Sequence, residues 1–332
     1  MPTRKDYEKI IKSLNFHEIL AIKKNFKKGY YIIRGDIKGR DVLLKVVPKK
    51  DWIRAKLIKK EMLVDDIIEK HNVDLTKPLV LNARVLGIGH DNKYLWIIRR
   101  FYPGKSLARV QPKKVMLGYD RIRANFIHES HRIIKQIVDN IESVQSITND
   151  FRRLGIKKEY FDRYFGSEIE NLIENGLEKK LGITLSEHVK FYNNHKKNYL
   201  SKRYKCASVT DLSPSNIIIK DNGVVVFSDL ELFSFDNYTM DIAYLWLFLW
   251  RYPDWQKKLV SLSIKNNIDR QFFRISVIRI ILSKYKFPSV TAGIKSDSGI
   301  IIFFKKHAWY KYLIAAGESF EGLTKVNKKI NR

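Results

Sequence analysis

The sequence of 332 residues predicts an α+β protein in which an antiparallel sheet of five strands precedes a mainly helical region. Between residues 18 and 99, short apolar runs alternate with turn residues, a pattern typical of antiparallel strands. Beyond residue 104, apolar side chains recur at helical spacing. One predicted β-hairpin interrupts the helices near residue 217, and the fold prediction rests on these three observations.

The sheet is predicted from the order of its elements along the chain. Three β-like runs occupy residues 18–47, and a basic turn, Lys24–Gly29, lies between the first two. Helical spacing then covers Trp52–Lys70, and two more β-like runs follow at Ala83–Ile88 and Tyr94–Arg99. Together the five runs are expected to form one antiparallel sheet.

A Pro-Gly pair at Pro103–Gly104 marks the predicted boundary between two lobes. Residues 1–102 form the N-lobe, made of the sheet and its helix, and residues 103–332 form the helical C-lobe. Helical periodicity in the C-lobe covers residues 114–146, 159–177, 186–200, 241–250, 254–264, 270–285 and 300–316.

One polar loop and the hairpin after it form the most informative pattern in the sequence. Asp211 and Asn216 share the loop, and two apolar runs joined through Asn222-Gly223 then lead to Asp229. Because a hairpin returns the chain on itself, we expect Asp211 and Asp229 to lie close together at its open end. Two carboxylates and an amide suit magnesium-dependent phosphoryl transfer, in which Asp211 orients the acceptor hydroxyl while Asn216 and Asp229 hold Mg²⁺.

A lysine in the third predicted strand and a glutamate in the next helix indicate a buried ion pair. Lys45 shares one face of its strand with Leu43 and Val47, and a lysine among apolar neighbours needs an anionic partner. Glu61 falls on the apolar stripe of its helix together with Val64. We therefore predict that Lys45 and Glu61 face inward and pair.

The spacing Asp-x₄-Asn, an apolar hairpin and a second Asp resembles the catalytic core of protein-kinase-like phosphotransferases. The small-molecule branch, which includes aminoglycoside and choline kinases, shows H-G-D-x-x-P-x-N and then I-D-[WF]-[DE]. Here Val209–Asn216 and Ser228–Glu231 fill those places, and Asp241–Ala243 matches the D-[LI]-A that opens a following helix. Two positions depart from the pattern: Val209 replaces the histidine, and Ser213 replaces the lysine or histidine two residues after the aspartate.

The resemblance implies a bilobal protein-kinase-like fold and an ATP-dependent phosphotransferase. Its reaction would move the γ-phosphate of ATP to the hydroxyl of a small-molecule acceptor. The N-lobe would bind the nucleotide, and the C-lobe would carry the catalytic loop and the metal site. The catalytic residues would be Asp211, Asn216 and Asp229, and the last two would bind Mg²⁺.

The resemblance also implies how ATP is held. Lys45, fixed by Glu61, would bind the α- and β-phosphates, as in kinases. Phe101, in the segment between the lobes, would lie at the adenine. The turn Lys24–Gly29 would cover the phosphates, although it lacks a glycine-rich pattern.

The charge of the chain leaves its partners open. Lys and Arg number 63 against 35 Asp and Glu, giving a net charge of +28. Such an excess favours anionic acceptors, nucleic acid or anionic membrane surfaces, or it reflects a lysine-rich composition spread over the surface. Two other functions therefore stay open: a protein Ser/Thr kinase, and a catalytically silent kinase-like domain that binds nucleic acid or anionic membrane. The short segment between Asp229 and Asp241 favours a small acceptor over a protein substrate.

Cysteine content and hydropathy predict a cytoplasmic protein. Cys206 is the only cysteine, so no internal disulfide can form, as expected in a reducing compartment. The first residues lack the apolar core of a signal peptide. The longest apolar run, Ile242–Trp250, is too short to span a membrane, and no transmembrane segment is expected.

Overall fold

The computed structural model describes residues 4–25, 30–72, 83–109, 120–153, 176–182, 184–284 and 296–326. Within them the chain forms two units, one made of Met1–Lys105 with Ile218–Leu232 and the other of Ser106–Ile217 with Phe233–Arg332. A five-stranded antiparallel sheet and a mainly helical remainder confirm the predicted fold class. The lobe boundary at residue 102 stays a prediction.

The elements follow the chain in this order. The first part contains α1 (Arg4–Ser13), β1 (Phe16–Asn25), β2 (Tyr30–Ile37), β3 (Arg40–Pro48), α2 (Trp52–Asn72), β4 (Val85–His90), β5 (Tyr94–Arg100), β6 (Gly104–Ser106), β7 (Ala108–Arg109) and β8 (Arg121–Ile122). The middle part contains α3 (Ser130–Ser146), α4 (Thr148–Arg153), α5 (Leu177–Leu181), α6 (Ser186–Tyr199), β9 (Lys205–Ser208), β10 (Ile217–Lys220), β11 (Val225–Phe227) and β12 (Ser234–Asn237). The last part contains α7 (Met240–Phe248), α8 (Pro253–Ser263), α9 (Asn267–Lys284), α10 (Asp297–Lys305), α11 (Ala308–Glu318) and α12 (Phe320–Lys325).

The sheet of the first unit has the strand order β1-β2-β3-β5-β4 and is covered on both faces. Helix α1 buries Ile10 against Leu44 and other sheet residues on one face. Helix α2 buries Ile58 against Val47 and Ile97 on the other face. Because successive side chains of a strand point to opposite faces, Lys45 projects to the α2 side together with Val47. This alternation brings a charged group into an apolar layer.

The predicted hairpin is present in the first unit. Strands β10 and β11 pair, and β6 lies on the other side of β10. A hydrogen bond of 2.8 Å from Gly223 N–H to the Lys220 carbonyl closes the turn, where Gly223 has a φ of +80°. Gly104 of β6 passes so close that a Cβ atom there would lie 2.3 Å from the Ile219 carbonyl oxygen. The hairpin is therefore held from both sides before it reaches Asp229.

The second unit is built around a helix that is buried on all sides. Every residue of α7 from Met240 to Leu247 is buried, as expected for a helix that is apolar all round. Its carbonyl groups are also used, because Trp309 Nε1–H donates to the Leu247 carbonyl at 3.0 Å and Gln256 Nε2–H donates to the Trp246 carbonyl at 2.7 Å. The position of α7 is thus fixed by hydrogen bonds as well as by packing.

Three sequence predictions differ from the structure or fall outside it. The helix predicted from residue 114 begins only at Ser130, because β8 and a 3₁₀ turn, Ala124–Glu129, precede it. Residues 26–29 of the basic turn and residues 159–175 of a predicted helix lie outside the described residues. No helix in the described part of the chain is long and apolar enough to cross a membrane.

A buried histidine is expected to make the second unit sensitive to acid. His307 is 3% exposed, and its Nδ1 accepts a hydrogen bond from Trp309 N–H at the start of α11. Burial and, to a smaller extent, the charge of Arg251 together lower its pKa to about 3. The unfolded chain therefore binds a proton more readily than the folded protein between pH 6.5 and 3, so stability is present above that window and is lost as the pH falls through it.

The replacement His307→Asn should remove this sensitivity, because asparagine keeps a capping acceptor and does not titrate. Between pH 7 and 4.5 the parent is expected to lose about 3 kcal/mol more of its free energy of unfolding than the variant. Urea unfolding at several pH values measures this difference. His128→Asn, at an exposed position, is the control. Parallel pH curves for parent and His307→Asn would refute the assignment.

Candidate active site

Five charged side chains meet inside the first unit. Lys45 on β3 and Arg99 on β5 project from the α2 face of the sheet, and Glu61 lies on the buried face of α2. Asp229 and Glu231 follow the end of β11. The side chains of the two cations are only 11% and 12% exposed, so charge on any member of the group acts strongly on the others.

Both residues of the predicted Lys45–Glu61 pair belong to this larger network, but its ion pairs run from Lys45 to Glu231 and from Arg99 to Glu61. The Lys45 ammonium contacts the Glu231 carboxylate and lies 3.9 Å from Asp229 Oδ1. Glu61 is bound directly by the guanidinium of Arg99, which lies 3.9 Å from the same Asp229 oxygen. Both predicted residues thus face inward, and Arg99 and Glu231 are functional candidates that the sequence reasoning missed. The acid of the I-D-x-[DE] pattern was the signal that could have indicated Glu231.

The network carries more negative than positive charge. Burial raises the pKa of Glu61, and the charge of Asp229 adds to this, while Arg99 and Lys45 oppose it. Carboxylate oxygens of Glu61, Asp229 and Glu231 lie within 4.8 Å of one another. Three carboxylates against two cations, with oxygen donors this close, form a donor set of the kind that Mg²⁺ prefers.

Asp229 has a left-handed backbone conformation with a φ of +64°. Asp and Asn tolerate this region better than other residues with a Cβ atom, and the conformation ends the strand at this residue. Thr210, which precedes Asp211, also has a positive φ of +69°, which is unusual for a β-branched residue. Strain of this kind occurs at functional sites where the surroundings hold it in place.

In the second unit, the loop that carries Asp211 is held through its own side chains. Asp211 Oδ1 accepts a hydrogen bond of 2.7 Å from the Tyr244 hydroxyl. The Asn216 amide donates to the Asp211 carbonyl at 2.9 Å and to Oδ2 at 3.3 Å. This places the nitrogen of Asn216 on Asp211 and leaves its amide oxygen as the atom that could bind a metal.

Asp241 anchors the same loop from the first turn of α7. Its carboxylate accepts hydrogen bonds from Ser208 Oγ at 2.8 Å, from Val209 N–H at 3.0 Å and from Thr210 N–H at 2.8 Å. Burial raises its pKa to about 6, against the effect of these three donors. In the sequence, Asp241 was indicated only by the D-[LI]-A match at the start of a helix. The structure shows that Asp241 instead holds the strained backbone before Asp211.

A further acid lies near Asp211 in the second unit. Burial raises the pKa of Asp120, the Ser215 side chain and backbone oppose this by hydrogen bonding, and the charge of Asp211 raises the pKa further. The sequence contained no motif at Asp120 that could have indicated it. Asp120 and Asp211 therefore interact electrostatically within this unit.

Phe101, predicted to lie at the adenine, is held by its own unit. Its backbone N–H donates to the Asp41 carbonyl at 3.0 Å, and the Arg34 guanidinium lies 3.7 Å from the centre of its ring. The N–H of Phe101 is thus engaged within the sheet. A role for Phe101 in binding a nucleotide base stays a prediction.

The fold is shared with small-molecule kinases. The aminoglycoside phosphotransferase APH(4)-Ia matches with a TM-score of 0.61 and 10% identity over 96% of this chain and 100% of that chain. The GDP complex of aminoglycoside 2′-phosphotransferase-IIIa matches with a TM-score of 0.58 and 12% identity, over 91% of this chain and 97% of that chain. Choline kinase LicA from Streptococcus pneumoniae matches with a TM-score of 0.52 and 13% identity, over 94% of this chain and 98% of that chain.

These similarities confirm the protein-kinase-like fold that the sequence predicted. Sequence comparison adds nothing to them, since no family model and no curated protein matches the chain. At identities of 10% to 13% the structural comparison establishes the fold, and the chemistry has to be argued from the residues of this chain.

Proposed function

We propose that this protein is a small-molecule kinase that transfers the γ-phosphate of a nucleoside triphosphate to a hydroxyl group. The observation that carries the proposal is the buried network in the first unit, in which two cations and three carboxylates meet at the end of a hairpin. Burying so many charges is costly, and a purely structural role would be served equally well by apolar residues. A magnesium–nucleotide complex would provide a ligand for both kinds of residue, since its phosphates bind cations and its Mg²⁺ binds carboxylates.

The members of the network divide the binding of this complex between them. Lys45 and Arg99 suit the nucleotide phosphates, which are bound in kinases by a lysine of the third strand. Asp229 and Glu231 suit Mg²⁺. A role for Asn216 in holding the metal stays a prediction of the sequence. When bound, Mg²⁺ would neutralise charge that develops on the phosphate oxygens. ATP is the nucleotide that the sequence predicts.

Asp211 would act on the acceptor. Its carboxylate would hold the hydroxyl hydrogen, so that the hydroxyl oxygen forms a bond to the γ-phosphorus while the bond from phosphorus to the β,γ-bridging oxygen breaks. The proton passes to Asp211 and then to solvent, and the nucleoside diphosphate leaves. Most of the rate enhancement would come from positioning and charge stabilisation, since the transition state in such transfers is loose.

The electrostatic interaction between Asp120 and Asp211 favours an acceptor that carries an amine. Two carboxyl groups attract a cationic ligand over a short range, whereas the net charge of +28 acts over the whole surface and is screened by salt. Similar structures were solved with ADP and hygromycin B and with GDP and kanamycin. The anionic acceptor that the net charge suggests is the competing proposal.

The experiment is a phosphotransfer assay with Mg²⁺ and either ATP or GTP. Hygromycin B, kanamycin, choline and the anionic ribose 5-phosphate serve as acceptors, and mass spectrometry detects the phosphorylated product. Casein tests the protein kinase alternative. We expect a phosphorylated product with at least one of the three acceptors that carry both a hydroxyl group and an amine or ammonium group. Product only with ribose 5-phosphate would support the anionic acceptor, and nucleotide binding without transfer to any compound would support the catalytically silent domain.

A further inference from the structure

A tyrosine that no motif indicates is hydrogen-bonded to the proposed catalytic carboxylate. Tyr244 lies in the middle of α7 and is 3% exposed. Its hydroxyl group donates to Asp211 Oδ1 at 2.7 Å, a length typical of a hydrogen bond from a hydroxyl to a charged acceptor. The apolar run Ile242–Trp250 indicates that this part of the helix is buried, but it indicates no polar contact for Tyr244. The contact therefore calls for a separate explanation.

The Tyr244 ring is held rigidly where it makes this contact. It stacks on Phe248, one turn further along α7, with ring centres 4.8 Å apart and planes inclined by 20°. The helix itself is fixed by the hydrogen bonds that Trp309 and Gln256 make to its carbonyl groups. The hydroxyl of Tyr244 is thus a donor at a defined point, and burial raises the pKa of Tyr244 well above its usual value, so that it stays protonated.

An aspartate carboxylate needs such a donor if its orientation is to be defined. The last side-chain torsion of aspartate has a broad energy minimum, so the carboxylate plane turns easily unless its oxygens are held. Tyr244 binds Oδ1 and the Asn216 amide lies 3.3 Å from Oδ2. A carboxylate has about four lone-pair sites, so positions remain on it for the acceptor hydroxyl.

We propose that Tyr244 is a positioning residue, which fixes the plane of the Asp211 carboxylate so that one lone pair points at the acceptor hydroxyl. This inference rests on the proposed function, because it assigns Asp211 to that reaction. Tyr244 itself touches neither phosphate nor acceptor in this scheme. Its contribution should therefore appear in kcat and should depend on the presence of the Asp211 carboxylate.

The test uses Tyr244→Phe in the full-length protein, with the acceptor that gives turnover in the phosphotransfer assay. We expect kcat to fall about 10- to 100-fold, the loss typical for one hydrogen bond to a charged group, with the KM for nucleotide unchanged within twofold. Tyr312→Phe is the matched control. It removes a hydroxyl that is equally buried in the same unit and that faces Gln256, and it should leave kcat unchanged.

A double-mutant cycle shows whether the effect passes through Asp211. If it does, adding Tyr244→Phe to Asp211→Asn should cause no further loss, because the carboxylate that Tyr244 positions is gone. Equal losses in both backgrounds, or a kcat for Tyr244→Phe within twofold of the parent, would overturn the inference while leaving the proposed function intact. Absence of phosphotransfer by the parent protein with every acceptor would overturn both.

Discussion

Asp229→Asn is expected to lower Mg²⁺-dependent nucleotide turnover by at least about 10³-fold, because it removes a full negative charge from the proposed metal site. Asparagine is the appropriate replacement at this position. The residue has a φ of +64°, which Asn adopts about as readily as Asp, whereas alanine would add backbone strain to the loss of the ligand. Circular dichroism should therefore show a folded variant with a melting temperature close to that of the parent.

Asp221→Asn is the matched control for this variant. Asp221 is an exposed residue of the same hairpin, at its turn, and the same chemical change there should leave turnover within twofold of the parent. Titration of Mg²⁺ in both variants distinguishes a lost ligand from a lost fold, since only the former raises the metal concentration needed for activity. Parent-like turnover by Asp229→Asn would remove Asp229 from the site.

Arg279→Met is expected to destabilise the second unit by about 3–5 kcal/mol, which is the usual effect of removing one partner from a buried ion pair. Arg279 is 2% exposed, and its Nη1 donates to Asp236 Oδ1 at 2.7 Å and to the Tyr199 hydroxyl at 2.8 Å. Burial acts to lower the pKa of Arg279, and the Asp236 carboxylate outweighs it and keeps the pKa raised. Removal of the Arg279 guanidinium would leave the negative charge of Asp236 buried without compensation.

The exposed pair Arg270–Glu321 provides the control for this effect. Its charged groups lie 3.3 Å apart with side chains 46% and 59% exposed, so Arg270→Met should cost less than about 1 kcal/mol. Chemical denaturation of both variants measures the two free energies of unfolding. Equal costs would show that Arg279 contributes no more than a surface residue. The double replacement Arg279→Met with Asp236→Leu should recover part of the loss, because no isolated charge then remains buried.

The parts of this structure that depend on local sequence could be predicted. The hairpin was predicted from two apolar runs around Asn222-Gly223 and lies within a residue of β10 and β11, because a turn sequence fixes its own geometry. The inward direction of Lys45 and Glu61 followed from strand alternation and helical periodicity. Each of these predictions used only residues that are neighbours along the chain.

The partners of those residues could not be predicted in the same way. Arg99, on strand β5, binds Glu61 on helix α2. The side chain of arginine is long enough to contact several possible partners, so spacing along the sequence does not identify which one it binds. Asp241 and Tyr244 lie on a helix whose apolar pattern predicts burial but gives no indication of the loop beside it. Contacts of this kind depend on how separate elements pack, and a single sequence does not encode them in its periodicity.

The first unit is discontinuous in sequence, and this has a consequence for how the protein folds during synthesis. Its sheet and α2 are complete by Lys105, but Asp229 and Glu231 are translated only after about half of the second unit. Until then Lys45 has neither of these carboxylates beside it, and an emerging sheet would have to leave that ammonium in water. The sheet is therefore expected to remain incompletely closed on the ribosome and to consolidate after residue 231, so that the parts that would bind nucleotide mature late although they are encoded early.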